Sequence, residues 1–351
     1  MRPFLLSLLF FGGCALPQAV PQYREAAGVI HIHTAYSDGT LPIEPVAEIG
    51  RRQGLDFLIV TDHNTLRGRT EGKAGWYGNT LVLVDTEIST ANGHYLALRL
   101  KEEVPSRQPS WQTVRDVARQ KGLGFIAHPF WKKKPWTADP DLPGIRGMEI
   151  YNLAEDLSDE NPLVAPLCAL FSRCDPLIAR WIDRPDRSLA LWDRLLGQGK
   201  RIVGIGGADA HGLAYFGFRL GPYETVFKAV RDHLLVRGEI TPRSIYEALE
   251  NGRLFVAHDI VADARGFTFT AVKGEKIRGT MGGRVRLEPG LRLQVHLPSP
   301  GRMTLFLNGR PAGTREGREG RFDLHERGIY RIEAARKGRP WIYSNPIDVL
   351  E

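Results

Sequence analysis

His31-Ile32-His33-Thr34-Ala35-Tyr36-Ser37-Asp38-Gly39 follows an apolar, strand-like lead-in at Gly28 to Ile32. In an extended segment, residues two apart point to the same side, so His31 and His33 can aim two imidazoles at one point. Ser37-Asp38-Gly39 then turns the chain just beyond the strand and leaves Asp38 at the same end as a third potential ligand. A lone H-x-H is equally compatible with buried histidines that merely satisfy hydrogen bonds, so the reading depends on what else the chain supplies.

Four further apolar runs end the same way. Leu58-Ile59-Val60 leads into Thr61-Asp62-His63-Asn64, and Leu81-Val82-Leu83-Val84 into Asp85-Thr86-Glu87. Phe125-Ile126-Ala127 leads into His128-Pro129, and Ile202-Val203-Gly204-Ile205 into Gly206-Gly207-Ala208-Asp209-Ala210-His211. Random placement would scatter these residue types through helices and loops; one shared site at the C-terminal ends of strands is the economical explanation.

From Gly28 to about Ala262 strand-like and helix-like segments alternate. Ile43 to Gly54 carries Ile43, Val46, Ala47, Ile49 and Gly50 on a helical period, and Trp111 to Lys121 is a second helix stopped by Gly122. This repetition predicts parallel strands with helices outside and ligands at the strands' C-terminal ends. A mostly helical insert spans about residues 153–198 and reads equally as a lid or as a packing elaboration. Pro242 to Asn251 forms a helix with Thr241 as N-cap and Gly252 beyond its end. After about Asp263, short alternating segments and the Asn308-Gly309 turn signal predict an all-β, sandwich-like region over residues 263–351. Its His296 and His325 belong to no ligand cluster.

The ordered set H-x-H-T-x-x-S-D-G, T-D-H-N, the isolated Glu87, H-P and D-A-H resembles the PHP (polymerase and histidinol phosphatase) metallohydrolase superfamily over roughly residues 28 to 260. Gly206 to Gly212 and the Ser344-Asn345-Pro346 tail are most similar to its CehA/McbA-type branch. The resemblance implies an α/β fold, a distorted seven-stranded (β/α) barrel over residues 27–262. It also implies a ligand set: His31, His33, Glu87 and Asp209 for a first metal, Glu87 bridging to a second with His94 and His128, and Asp38, His63 and His211 for a third. Two or three divalent transition-metal ions are expected; imidazole and carboxylate without thiolate suit Zn, Mn or Fe. Asp62 and Asn64 are expected to orient His63. Such metals lower the pKa of a bound water, so a metal-bound hydroxide is the expected nucleophile, with Asp209 as proton acceptor and Glu87 bridging. Arg67, Arg69, Lys132 to Lys134 and, above all, Arg219 follow ligand-bearing strands and could bind an anionic group.

Residues 1–14 are a cationic residue followed by an apolar stretch too short to span a bilayer, which reads as a signal peptide. Gly12-Gly13-Cys14 resembles the bacterial lipobox, although Phe11 departs from its usual Leu, so lipidation at Cys14 and a plain signal peptide both remain open. Residues 15–26 would be a tether, and the product an envelope protein whose membrane contact is its N-terminal lipid. In an oxidising compartment Cys168 and Cys174 could form a disulfide or stay as buried thiols. The formal net charge of +7 is spread over 351 residues without a basic helix or aromatic-basic array, which argues against nucleic acid as a partner. A small, anionic substrate and phosphoester hydrolysis are expected, with carbamate, ester or amide hydrolysis, or a noncatalytic binding lipoprotein, as alternatives.

Overall fold

The computed structural model describes residues 23–157, 175–212, 214–215, 218–219 and 222–351, the two short pieces by backbone pairing alone. The expected leader, Cys14, Cys168 and Cys174 lie outside the described residues. The end of the expected tether does not: Tyr23 to Ala26 already belongs to the first strand, and Ala26 is buried.

The first region carries β1 (Tyr23–Ile32), β2 (Phe57–Val60), β3 (Gly75–Tyr77), β4 (Thr80–Val84), β5 (Thr86–Thr90), β6 (Gly93–Leu98), β7 (Leu123–Ile126), β8 (Ile145–Asn152) and β9 (Val203–Gly207). After a two-stranded hairpin of β10 (Ala214–Tyr215) and β11 (Phe218–Arg219) come β12 (Arg231–Arg237) and β13 (Leu254–Ala257). The helix Ile43–Arg52 buries Ile43, Val46, Ala47, Ile49 and Gly50, the face its periodicity predicts. Helix Pro242–Glu250 starts on a capping box: the Thr241 hydroxyl accepts from the Ser244 N–H, and the Ser244 hydroxyl accepts from the Thr241 N–H.

β1, β2 and β4 are parallel neighbours, as are β7, β8 and β9. The expectation of parallel strands fails at several places, β3 being antiparallel to β4 and β13 to β12. β5 and β6 are antiparallel and joined through only Ala91 and Asn92, a connection too short for a parallel crossover, and β6 is also antiparallel to β7. β12 lies antiparallel on β1. The second region adds β14 (Thr268–Lys273), β15 (Lys276–Thr280), β16 (Arg284–Arg286), β17 (Leu291–Leu307), β18 (Arg310–Asp323), β19 (Gly328–Arg336), β20 (Arg339–Ser344) and β21 (Ile347–Leu350).

Pairing gives a 14-stranded sheet whose main path runs β15-β14-β17-β19-β20-β13-β12-β1-β2-β4-β3, and a five-stranded sheet β5-β6-β7-β8-β9. The architecture is therefore mixed α/β and strand-rich, and pairing passes through β13 and β20 from the first region into the second. The five-stranded sheet meets the larger one at both margins. Beside β5, the Glu87 N–H donates to the Thr61 carbonyl at 3.1 Å and the Asn64 N–H to the Glu87 carbonyl at 2.9 Å. Beyond β9, Ala208 N–H donates to Ile30 at 3.0 Å and His33 N–H to Ala210 at 2.9 Å.

The apolar core of the first region includes Val29, Ile32, Leu58, Val60, Val84, Ile126, Met148 and Ile150. A second core of Phe267, Phe269, Leu293, Val295, Ile332 and Trp341 fills the C-terminal strands. Arg331, 1% exposed, ties the two regions by a two-pronged contact to Asp193 at 2.6 and 2.7 Å. In the terminal tail, buried Asn345 accepts from the Gly204 N–H at 2.9 Å and donates to the Gly204 carbonyl at 2.7 Å. The tail thereby holds β9, the strand that leads to Asp209.

Candidate metal centre

The nine residues expected as ligands come from four strand ends, two strand starts and one turn. His31 and His33 straddle the end of β1, His63 follows β2, Glu87 is in β5, His128 follows β7, and Asp209 and His211 follow β9. His94 sits at the beginning of β6; because β6 runs antiparallel, its start faces the side reached by the other strands' C-terminal ends. Asp38 is carried by the turn after His33.

Simple strand alternation does not bring His31 and His33 together, contrary to expectation. His31 has φ 68°, and the register between β1 and β2 shifts between Ile30 and Ile32, so a bulge re-aims the ring. His128 (φ 25°) and Asp209 (φ 48°) also occupy the left-handed region. Strained backbone at three residues of one cluster is the pattern of a functional site, where surrounding structure holds costly geometry.

Glu87 is the hub. Its Oε2 lies 3.0 Å from His63 Nδ1 and 3.4 Å from both His31 Nε2 and His33 Nε2, while Oε1 lies 3.0 Å from His94 Nδ1 and 3.1 Å from His128 Nε2. Asp209 Oδ1 stands 3.4 Å from His33 Nε2 and 3.5 Å from His31 Nε2. On the open side, Asp38 meets His211 at 3.3 Å and His33 and His63 at 3.6 Å. Three groups have ligand atoms mutually within 4.8 Å: His31, His33 and Glu87; His63, Glu87 and His94; and His33, Asp38, His63 and His211.

These contacts are close without being hydrogen bonds in most cases. His31 Nε2, His33 Nε2, His63 Nδ1, His94 Nδ1 and His128 Nδ1 are all buried and lack a hydrogen-bond partner among the described residues. Orphaned polar atoms in an interior are costly, and the three ligand groups include four of these five histidines. An imidazole and carboxylate donor set whose unpaired nitrogens converge on shared carboxylates fits divalent transition-metal ions.

The electrostatics agree. Burial opposes ionisation of Glu87, yet His31, His128 and His63 hold its carboxyl well below the usual range. Asp209 is likewise held low by His31 and His33 against the effect of burial, and Asp38 by His211, His33 and His63. Burial opposes protonation of His31, but Asp209, Glu149 and Glu87 raise it well above its ordinary value. His63, His128 and His211 are raised too, against burial, by Glu87 for the first two and by Asp38 and Asp209 for the last. Burial lowers His33.

The residue that sequence reading missed is Glu149, fully buried inside β8. Its Oε1 lies 2.6 Å from His31 Nδ1, and its Oε2 accepts from the His128 N–H at 2.6 Å and the Asn152 side-chain amide at 2.8 Å. One carboxylate therefore fixes two expected ligands. Gly207 makes room for it: a Cβ there would stand 2.0 Å from Glu149 Oε1. The signal was a lone acid within the apolar run Met148 to Tyr151.

Asp62 and Asn64 do not orient His63. Asp62 accepts from the Thr34 N–H at 2.7 Å, the Thr34 hydroxyl at 2.6 Å and the Ser37 hydroxyl at 2.6 Å, pinning the turn that carries Asp38. Asn64 caps β5 by accepting from the Ser89 N–H at 2.8 Å. Asp85, beside the cluster in sequence, points elsewhere and accepts from Tyr246 and the Arg99 N–H. Among the expected anion binders, Arg67 pairs with Glu71 and Arg69 donates to the Leu100 and Lys101 carbonyls. Lys133 lies over Trp131, whose ring meets His128 edge-on at 5.0 Å. Arg219 pairs with Ala214 in the β10–β11 hairpin, and its side chain lies outside the described residues. His296 pairs with Glu319, and His325 is exposed.

No protein-family model matches the chain. An uncharacterised protein of Methanocaldococcus jannaschii is 29% identical over 114 residues, covering 29% of this chain and 66% of that protein, so the chain spans just under two thirds of its length. Among solved structures, the chain is similar to a two-domain protein of Bacteroides vulgatus containing a predicted PHP-like metal-dependent phosphoesterase. That match has a TM-score of 0.48 and 16% identity and covers 93% of this chain and 96% of the other. A Bifidobacterium adolescentis structure described as a metal-dependent phosphoesterase matches at TM-score 0.35 and 17% identity, covering 57% of this chain and 93% of that one. A Chromobacterium violaceum amidohydrolase with bound sulfate matches at TM-score 0.36 and 14% identity, covering 65% and 96%.

Proposed function

We propose that this chain is a metal-dependent hydrolase with phosphoesters as its substrate class. The observation that carries the reading is the set of four buried imidazole nitrogens, of His31, His33, His63 and His94, that lack a hydrogen-bond partner among the described residues and gather around the carboxylate of Glu87, those of His31 and His33 also facing Asp209. His31, His33, Glu87, His94, His128 and Asp209 would hold ions on the buried side, and Asp38, His63 and His211 on the open side. Divalent ions held there supply an ionised water at neutral pH and offset the charge of a developing oxyanion. Asp209, kept ionised by His31 and His33, is placed to accept a proton beside them. Phosphoryl transfer spreads negative charge over several oxygens at once, which suits a site with more than one cation position better than a carbonyl substrate does.

The same reading treats β1, β2 and β4 with β5, β6, β7, β8 and β9 as a distorted barrel, eight strands where seven were expected, supported by the backbone hydrogen bonds at both margins of the smaller sheet. Export, lipidation at Cys14 and a membrane-tethered product are proposed from the leader sequence; among the described residues no helix is long and apolar enough to cross a membrane. Mass spectrometry of the mature N-terminus decides the point, and an unmodified chain beginning at Met1 would refute it. For the activity, protein loaded with Mn or Zn is assayed against phosphomonoesters, phosphodiesters, carbamates, esters and amides. Phosphoester turnover abolished by Asp209→Asn is the expected result. Turnover of carbamates or amides alone would refute the substrate class, and full turnover by Asp209→Asn would refute the mechanism.

A further inference from the structure

Beyond His128 the chain does not leave the site at once. Trp131 N–H donates back to the His128 carbonyl at 3.1 Å, and Trp136 N–H donates to the Pro129 carbonyl at 3.0 Å, curling residues 128–136 into a compact loop. The outer side of this loop is one wall of a groove with a volume of about 490 Å³, within the range that holds small organic ligands. Pro129, Phe130 and Trp136 form that wall. Phe130 is two residues from His128, so the wall begins no more than about 7 Å from the His128 Cα.

The facing wall is one stripe of helix Asp186–Gly197. Arg187, Ala190, Leu191 and Arg194 stand at helical spacing along it, while Ser188, Leu189, Trp192, Leu195 and Leu196 pack inward. The stripe is apolar in its middle and has a guanidinium at each end, about 10 Å apart at 1.5 Å of rise per residue. Arg187 lies over the Phe130 ring at 4.3 Å. Neither arginine makes an ion pair with a carboxylate among the described residues, although this helix places Asp193 against Arg331. Two cations without an ion pair among the described residues, Arg187 being near enough to Glu155 to stabilise its carboxylate, flank a floor of aromatic, proline and leucine side chains and match a planar apolar group with a carboxylate at its edge.

We propose that this groove is a subsite for the non-reacting part of the substrate, and that it selects an aromatic group bearing an anionic substituent. Its role as a subsite rests on the hydrolase reading; its affinity for an aromatic anion does not, and the test separates the two. The full-length, metal-loaded protein is titrated with naphthoate by calorimetry, and assayed with phenyl phosphate and para-carboxyphenyl phosphate. Wild type should bind naphthoate, and the double variant Arg187→Met, Arg194→Met should bind at least about tenfold more weakly, the loss expected for a charge-assisted contact. Leu191→Trp, which keeps both arginines and fills the floor, should also weaken binding. In turnover, the double variant should lose the wild-type preference for the carboxylated ester, its KM for that ester rising at least about tenfold more than its KM for phenyl phosphate, with metal content unchanged. Equal naphthoate affinity in wild type and the double variant, or no binding to wild type, overturns the proposal. Naphthoate binding that depends on the arginines, with neither ester turned over, supports the groove and refutes the phosphoesterase reading instead.

Discussion

Replacing Glu149 by Gln changes one oxygen to an amide nitrogen in a pocket where every neighbour donates. The carboxylate faces His31 Nδ1, the His128 N–H and the Asn152 amide, all buried. A Gln has a single acceptor oxygen and must present its NH₂ to one side. Turned toward His128 it opposes a backbone donor, leaving two buried donors unmet at about 1–3 kcal/mol. Turned toward His31 it favours the tautomer with the proton on Nε2, the nitrogen that faces Glu87 and Asp209. The first costs stability and the second metal affinity, and loss of such a supporting contact lowers affinity by about 10–100-fold. Denaturant unfolding of the apo protein and competition with a chelator for Zn or Mn read the two effects separately. A variant with wild-type stability and metal affinity within about twofold would refute the role assigned to Glu149.

Gly207→Ala should reproduce the metal defect from the other side, because its Cβ would displace the same carboxylate; unaltered chelator competition would contradict this. Metal affinity should rise with pH through and above the ordinary histidine range, since His31, His63, His128 and His211 all hold protons more tightly than usual and must release them to bind; calorimetry across pH would show a flat profile if this is wrong. Burial opposes protonation of His233, but Asp259 and Glu25 raise it to about 9. With the folded value above the unfolded 6.5, its stabilisation, on the order of 3 kcal/mol, is fully present below pH 6.5 and is lost as pH rises through 9. His233→Gln should flatten that part of the stability curve, and parallel curves would contradict it. Arg331→Met leaves the largely buried Asp193 carboxylate without its two-pronged partner, while Glu333 keeps Arg184, and should cost about 3–5 kcal/mol in denaturant unfolding, a value below about 1 kcal/mol being incompatible with the contact.

The candidate site was legible where an expected ligand followed its own apolar run. His63, Glu87, His128 and Asp209 each follow a local signal, strand and then ligand, that one stretch of sequence can carry. His94 lacked it because it opens an antiparallel strand, so no apolar run precedes it. Glu149 lacked it because the residues that need its carboxylate, His31 and His128, are 118 and 21 positions away, and nothing near Glu149 records them. The left-handed backbone of His31 was also invisible: it results from pairing β1 with both β2 and the strand before His211, a constraint imposed by long-range hydrogen bonds. The helices at Ile43 and Pro242 were legible because capping and amphipathic spacing are local, whereas the direction of β6 depended on noticing a two-residue connection.

The central claim is that the buried imidazoles and carboxylates around Glu87 form a site for more than one transition-metal ion. Elemental analysis of protein purified after metal-replete expression, beside Glu87→Gln prepared identically, tests it most directly. Two or three Zn, Mn or Fe ions per chain in wild type and fewer than one in the variant is the predicted result. Fewer than one ion in wild type, or the same content in both, would contradict it.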